Sequence, residues 1–456
     1  MNKEYKELII EHEWKALAKL LATLDSSDIA EILDECLPED NSKILNSLTT
    51  EKATEIFEYL PIEVQIPLID VLQSGDLALI LNQMSSDDRT RLLEKLPPVV
   101  LKRIMRILNP DASKVTGMLL AYAEDTVGRH MTKDYFCVRA DMSVNESIEF
   151  LRKYKKTSKG PIINMVYVID GQGKFINEIN MATLVLASPD TKVTDLQDHI
   201  LISLLDTSDI EEAIITFDKY SRFTLPVIDF KGLLVGIITG DDVLDISVEE
   251  ATEDIQKMGG MSELDAPYMD IGLVGMIKKR GGWLSILFVG EMLTATAMGY
   301  YEDEISKAVV LALFIPLIIS SGGNSGSQAT SLIIRALALG EVKLKDWWKV
   351  FTREIFIGLI LGSMLGILGA GRIIFWPTRV ATYGEHYFLI ALTVFFSLIG
   401  VVTFGTLTGS MLPFILRRVG FDPASASAPF VATLVDVTGL VIYFTFASFL
   451  LKGVLL

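Results

Sequence analysis

Cysteine and histidine are scarce in this 456-residue chain, at two and four residues. Cys36 and Cys137 stand far apart and outside any metal-spaced cluster, which argues against structural zinc and against a disulfide framework. The N-terminus shows no signal-peptide apolar core, so the first part of the chain is expected to stay in the cytosol. No phosphate-cradling loop or nucleophile–base pair appears. The run GGNSG at 322–326 lacks the lysine and Ser/Thr of a P-loop. Basic charge is also short where nucleic acid would need it. Residues 1–270 hold 48 acidic and 27 basic side chains, a balance of −21. Such a surface repels nucleic acid and attracts cations, or is simply a solvated acidic face.

What remains is strongly apolar. Hydrophobic residues make up 50% of the chain. The excess lies in residues 271–456, where 14 basic side chains outweigh 10 acidic ones. One soluble part and one membrane part account for this division.

Residues 1–130 are read as an all-α solenoid. Units of about twelve residues recur, among them SSDIAEILDECL, TEKATEIFEYL and SDDRTRLLEKL. Each opens on a residue suited to a helix N-terminus and continues with apolar residues at helical spacing. Short capped helices of this kind stack on one another. Residues 131–197 and 198–244 change to β-branched runs such as Ile162–Ile169 and Leu233–Thr239, alternating with the helical stretches Val144–Tyr154 and Ile210–Tyr220. This pattern resembles a tandem pair of α/β CBS modules, and the likeness is stronger in the second copy. Residues 245–270 follow as an acidic amphipathic segment, read as a connecting helix.

Residues 271–456 contain five apolar stretches, approximately Trp283–Tyr301, Ala308–Leu339, Ile355–Trp376, Tyr387–Leu416 and Pro429–Leu451. Each is long enough to span a bilayer. Lysines and arginines flank the first span, the second–third loop and the fourth–fifth loop, so these flanks are expected inside and the C-terminus outside.

Asp436 is a lone carboxylate in the apolar fifth span. An unpaired charge there costs about 3 kcal/mol or more, and such residues by default mark an ion route. The alternative is a structural carboxylate bonded to neighbouring helices. The run Pro316–Gly340 reads as a glycine-rich break that exposes backbone to a cavity, or else as a small-residue packing motif. Glu291 in the first span is either a pore carboxylate or a partner for a nearby base. Asp422 either guards the inner entrance or caps the next helix. All these candidates are hard oxygen donors, which suit magnesium, calcium or manganese, and a sparse set suits magnesium, which keeps its waters.

The segments GGNSGSQATSLIIRALA, MLPFILRRVGFDPA and VATLVDVTGLVIYF resemble the membrane motifs of the MgtE family of magnesium transporters, and the domain order resembles it along nearly the whole chain. The resemblance implies a homodimer in the cell membrane with one magnesium-selective pore on its two-fold axis. Asp436 would be the pore carboxylate, with the Ala432 carbonyl and Asn324 beside it and Glu302 at the outer mouth. It further implies closure by cytosolic magnesium held at Asp87, Asp209, Glu211, Asp242, Asp245, Glu250, Glu253 and Asp254. Arg91 stands where the family pattern puts a second acid one turn after Asp87. Thr239 and Asp242 match the GxxTxxD pattern of ribose contacts, so ATP in the second module is a further expectation. The competing readings are a membrane-anchored sensor or scaffold without ion flow, and a membrane enzyme; no sequence feature supports the enzyme.

Overall fold

The structure, a computed structural model, describes residues 13–21, 23–155, 164–196, 201–264, 266, 268–269 and 271–455. It divides into two compact units, Met1–Ser247 and Val248–Leu456.

The first unit begins with short helices: α1 (Trp14–Leu21), α2 (Ser26–Asp34), α3 (Pro38–Ser47), α4 (Thr50–Tyr59), α5 (Ile62–Val71), α6 (Ser74–Gln83), α7 (Ser86–Glu94), α8 (Pro98–Ile107) and α9 (Pro110–Leu119). Proline opens helices as expected, while the side-chain caps fall one residue ahead of the unit openings Ser26 and Thr50. Asp25, Thr49 and Asn109 accept hydrogen bonds from backbone amides in the first turns of α2, α4 and α9, and Pro38, Pro98 and Pro110 open α3, α8 and α9. From α1 to α9 each helix packs on the next but one, making two layers around a core of Ile29, Leu33, Ile56, Phe57, Leu81 and Leu93.

The repeat in space is twice the length of the repeat in sequence. Asn41 donates to the Leu33 carbonyl, Gln65 to Phe57, Arg89 to Leu81 and Ser113 to Met105, always eight residues back and recurring every 24 residues. These side chains satisfy carbonyls left open at helix C-termini inside the stack. The twelve-residue unit is one helix, and the structural unit is a pair.

A short helix, α10 (Val127–His130), leads into two matching sheets. The first joins β1 (Cys137–Arg139), β2 (Met165–Ile169) and β3 (Phe175–Asn180), with α11 (Val144–Lys155) and α12 (Met181–Leu186). The second joins β4 (Leu204–Leu205), β5 (Thr224–Ile228) and β6 (Leu234–Thr239), with α13 (Ile210–Tyr220). In both, the first pair is parallel, the second is antiparallel, and a register shift falls in the same place, at Val168/Ile169 and Val227/Ile228. Ile162 and Ile163 of the expected first β-run lie outside the described residues.

The connecting helix differs from its expected bounds. Helix α14 runs Gly240–Met258, starting inside the second module and stopping well before residue 270. Gly259 and Gly260 end it. Gly260 adopts φ +71°, open to glycine at little cost, and a Cβ there would stand 2.8 Å from the Trp283 ring. Parts of 265–270 lie outside the described residues.

Among the described residues the second unit holds five helices long and apolar enough to cross a membrane: Leu273–Tyr300, Val309–Ala338, Leu344–Ile374, Tyr387–Val419 and Ala428–Leu451. Their α-helical parts are α15 (Leu273–Tyr300), α17 (Ile315–Ala338), α18 (Trp347–Ile374), α20 (Tyr387–Val419) and α21 (Ala428–Leu451); the short helices α16 (Glu302–Lys307) and α19 (Arg379–Tyr383) lie between spans. The glycine-rich break in the second span is not there. Helix α17 runs through Gly322, Gly323 and Gly326 without interruption. These glycines serve close packing instead. A Cβ on Gly322 would stand 2.7 Å from Val435 of α21, and Gly358 and Gly362 of α18 approach Thr403 and Ile399 of α20 equally closely. Ser325 shares a 2.6 Å hydrogen bond with Thr406, and Thr330 donates to the Gly409 carbonyl at 3.0 Å. The polar residues at these positions join helices to one another.

Candidate ion pathway and cytosolic carboxylate cluster

Three spans converge on Asp436. Gly323 of α17 lies against Ala432, with 3.5 Å between a built Cβ and the alanine Cβ. Gly290 of α15 lies against Thr433, at 2.9 Å by the same measure. The first is an ordinary van der Waals distance that a methyl would fill, whereas at Gly290 a side chain would be forced against Thr433. Asp436 follows one turn later, partly buried, and its carboxyl is within hydrogen-bonding reach of Glu291. Ala432 lies within α21, so its carbonyl faces Asp436 along the helical ladder. Asn324 is exposed, in line with exposed Ser320 and Gln328 on one face of α17, and its amide donates to Ser320 at 3.4 Å. Glu302 is exposed in the first turn of α16, away from this convergence in sequence and element.

Asp422 does not cap the fifth-span helix, which Ser427 caps; its Oδ1 accepts from the Ala424 amide at 2.8 Å and caps the short turn Pro423–Ser425. The other oxygen pairs with Lys257 at the end of α14, at 2.6 Å. Lys257 also contacts Glu253. Burial pulls Lys257 down, but its bonds to Asp422 and Glu253 outweigh this and hold the ammonium above the usual lysine range. Burial, and then repulsion from Asp422, push Asp254 up to about 6. Trp283 Nε1 donates to Ser427, the cap of α21, at 3.2 Å. The end of α14, the start of α15 and the entry to α21 thus share one polar junction.

A second acidic group forms in the first unit, between α7 and the start of α14. Burial, with repulsion from Asp88, raises Asp87 to about 6. Burial, with repulsion from Asp87, raises Asp242 well above the ordinary carboxylate range. Asp88 is raised chiefly by burial, with Asp241 and Asp245 adding to it. The Oδ1 of Asp87 is enclosed without a hydrogen-bond donor among the described residues. An enclosed acceptor lacking a donor amid like charges is the environment a cation relieves. Arg91 supplies part of that relief itself, at 3.0 Å from Asp245 and 3.5 Å from Asp88.

The structure therefore brings together Asp87, Asp242 and Asp245 of the expected regulatory set. Sequence reasoning missed Asp88 and Asp241, although both adjoin residues it named. Asp209 serves locally, accepting from the Glu211 amide at 2.9 Å as the cap of α13. Glu250, Glu253 and Asp254 lie further along α14. Thr239 donates to Asp242 in the second module. Among the described residues no group of three His, Cys, Asp or Glu side chains is placed to hold a metal ion directly.

A helical stack, two matching α/β modules and five apolar helices with a carboxylate inside them define a membrane cation transporter. Comparison with known proteins agrees. The MgtE divalent cation transporter pattern matches residues 315–446, the MgtE intracellular N domain 7–125, and the CBS domain 127–190 and 193–249. The chain is 35% identical over 452 residues to the magnesium transporter MgtE of Thermus thermophilus, covering 98% of each, and 28% identical over 454 residues to that of Bacillus subtilis, again covering 98% of each. The crystal structure of the cytosolic domain of the Mg2+ channel MgtE in complex with ATP covers 53% of this chain and 98% of its own, at 31% identity and a TM-score of 0.50. The chain belongs to the MgtE family of magnesium transporters.

Proposed function

We propose that the chain forms a homodimeric, magnesium-selective channel that conducts down the electrochemical gradient and is closed by magnesium on its cytosolic side. The observation that carries this reading is the Asp436 carboxylate, set inside an apolar span where α15, α17 and α21 meet. A charge at that depth calls for a wet path or a counter-ion. The stripe Ser320, Asn324 and Gln328 is exposed on the protomer, and polar side chains do not face lipid without cost. A second copy covering that stripe puts Asn324, Ala432 and Asp436 beside a shared axis. Magnesium sheds water reluctantly, so these groups would act on it through its hydration shell. Glu302 would draw ions to the outer mouth, and Asp422 stands at the inner end with the C-terminus outside.

In the cytosolic portion, Asp87, Asp242 and Asp245 would hold a regulatory ion between the N domain and the second CBS module. Their donor chemistry fits one: hard oxygens, raised affinity for positive charge, and an acceptor without a donor. Glu250, Glu253 and Asp254 would take further ions along α14, and Asp209 and Glu211 another in the second module. Bound ions stabilise the closed arrangement only if they bind it more tightly than the open one. ATP would contact Thr239 and Asp242 through its ribose. It would then compete for the same Asp242 that faces Asp87.

The test is magnesium uptake into liposomes containing the full chain, with wild type compared to Asp436→Ala. Loss of uptake in the variant is expected. Equal uptake by both would remove Asp436 from the pathway, and no uptake by well-inserted wild type would favour a sensor without conduction.

A further inference from the structure

The first span carries an acid that its apolar setting does not call for. Glu291 lies in the interior of α15, with Leu287 before it and Leu293 after it. The close approach of Gly290 to Thr433 brings α15 onto α21 at this level. Glu291 thereby reaches the Asp436 carboxyl, and no lysine or arginine among the described residues compensates the pair. Thr294 lies on the same face one turn on. It is 9% exposed, and its hydroxyl has no hydrogen-bond partner among the described residues. From the opposite side, the contact of Gly323 with Ala432 sets the neighbouring Asn324 at the same level of the bundle. The reading of Glu291 as partner to a nearby base therefore has no support in the geometry.

We propose that Glu291 is a second carboxylate of the ion pathway and discriminates by ionic charge. This rests on the assignment of Asp436 to that pathway. Two neighbouring carboxylates within a bilayer repel strongly unless positive charge lies between or beside them. Each protomer then presents two negative charges at one level. In the homodimer the shared pore then faces four such charges, of which a divalent ion offsets two and a monovalent ion only one. The pair acts on the hydrated ion, so charge rather than inner-shell fit sets the preference. Thr294 and Asn324 offer the ion's waters further oxygen partners.

The experiment measures magnesium and sodium flux into liposomes containing full-length wild type, Glu291→Gln, Glu291→Asp and Asp436→Asn. Glu291→Gln keeps the size and loses the charge. It is expected to raise the half-saturating magnesium concentration about tenfold and to admit sodium, while Glu291→Asp stays near wild type. Unchanged half-saturation and ion preference in Glu291→Gln, with uptake lost in Asp436→Asn, would overturn the proposal and leave the Asp436 pathway standing. Wild-type uptake by Asp436→Asn would instead remove the pathway itself. Should Glu291→Gln insert poorly, Glu291→Thr serves in its place, and wild-type ion preference there likewise overturns the proposal.

Discussion

Asp87→Asn tests whether like charge, rather than missing contact, opens the N domain. In the docked arrangement burial, then repulsion from Asp88 on the same helix, raises the Asp87 carboxyl from 3.8 to about 6. A group whose affinity for protons rises on docking opposes docking when ionised. That opposition is absent below about pH 4 and is fully present once the pH has risen through 6. Roughly two pKa units set an upper bound of about 3 kcal/mol, or on the order of a hundredfold in the docked-to-released ratio at pH 7.5, because the Asp88 part persists in the released state. Asparagine removes the charge and keeps the shape. Cysteines placed on α7 and α14 away from the acids would report docking by their cross-linking rate in the full chain. Wild type should cross-link slowly in chelator at pH 7.5, and faster either with magnesium or at pH 5.5. Asp87→Asn should cross-link quickly in chelator and respond little to acid. A variant that stays as slow as wild type without magnesium would refute the electrostatic account.

Arg91→Ala removes the guanidinium that already serves Asp245 and Asp88. Both partners keep some exposure, so the loss is expected to be within about 1 kcal/mol, seen as a several-fold higher magnesium midpoint in the same cross-linking assay. Lys257→Ala frees Asp422 and Glu253 at the polar junction below α21. Magnesium flux at closing concentrations should rise, whereas flux at low magnesium should not. Gly358→Ala puts a methyl 2.7 Å from the Thr403 backbone. Overpacking of this kind costs about 1–3 kcal/mol, and a fall in the thermal midpoint of detergent-purified protein would show it. A melt unchanged within error would mean that α18 and α20 part easily.

Much of the architecture was legible because it rests on local rules. The cap residues before Ser26, Thr50 and Pro110 and the apolar periods behind them mark helices wherever they occur. Apolar length marks the spans, and Asp436 stands out because hydrocarbon penalises charge whatever the fold. The matched β-runs suggested paired modules, and the equivalent register shifts in the two sheets agree with that. The glycine-rich run at Gly322–Gly326 was ambiguous because glycine serves both an opened backbone and a close helix contact. Only the position of Val435 and Gly405 across the interface decides for contact.

The sequence by itself determined the division into an acidic part and an apolar membrane part, the number of spans, and the kind of donor offered to an ion. Those properties follow from composition and period, which survive without knowledge of neighbours. Tertiary structure alone decided which acids meet. Asp87 and Asp242 are far apart in the chain and repel across an interface, Arg91 answers Asp245, and Glu291 reaches Asp436 from another helix. Electrostatic energy depends on distance through space, and no spacing along the chain encodes that distance once helices from separate segments pack together.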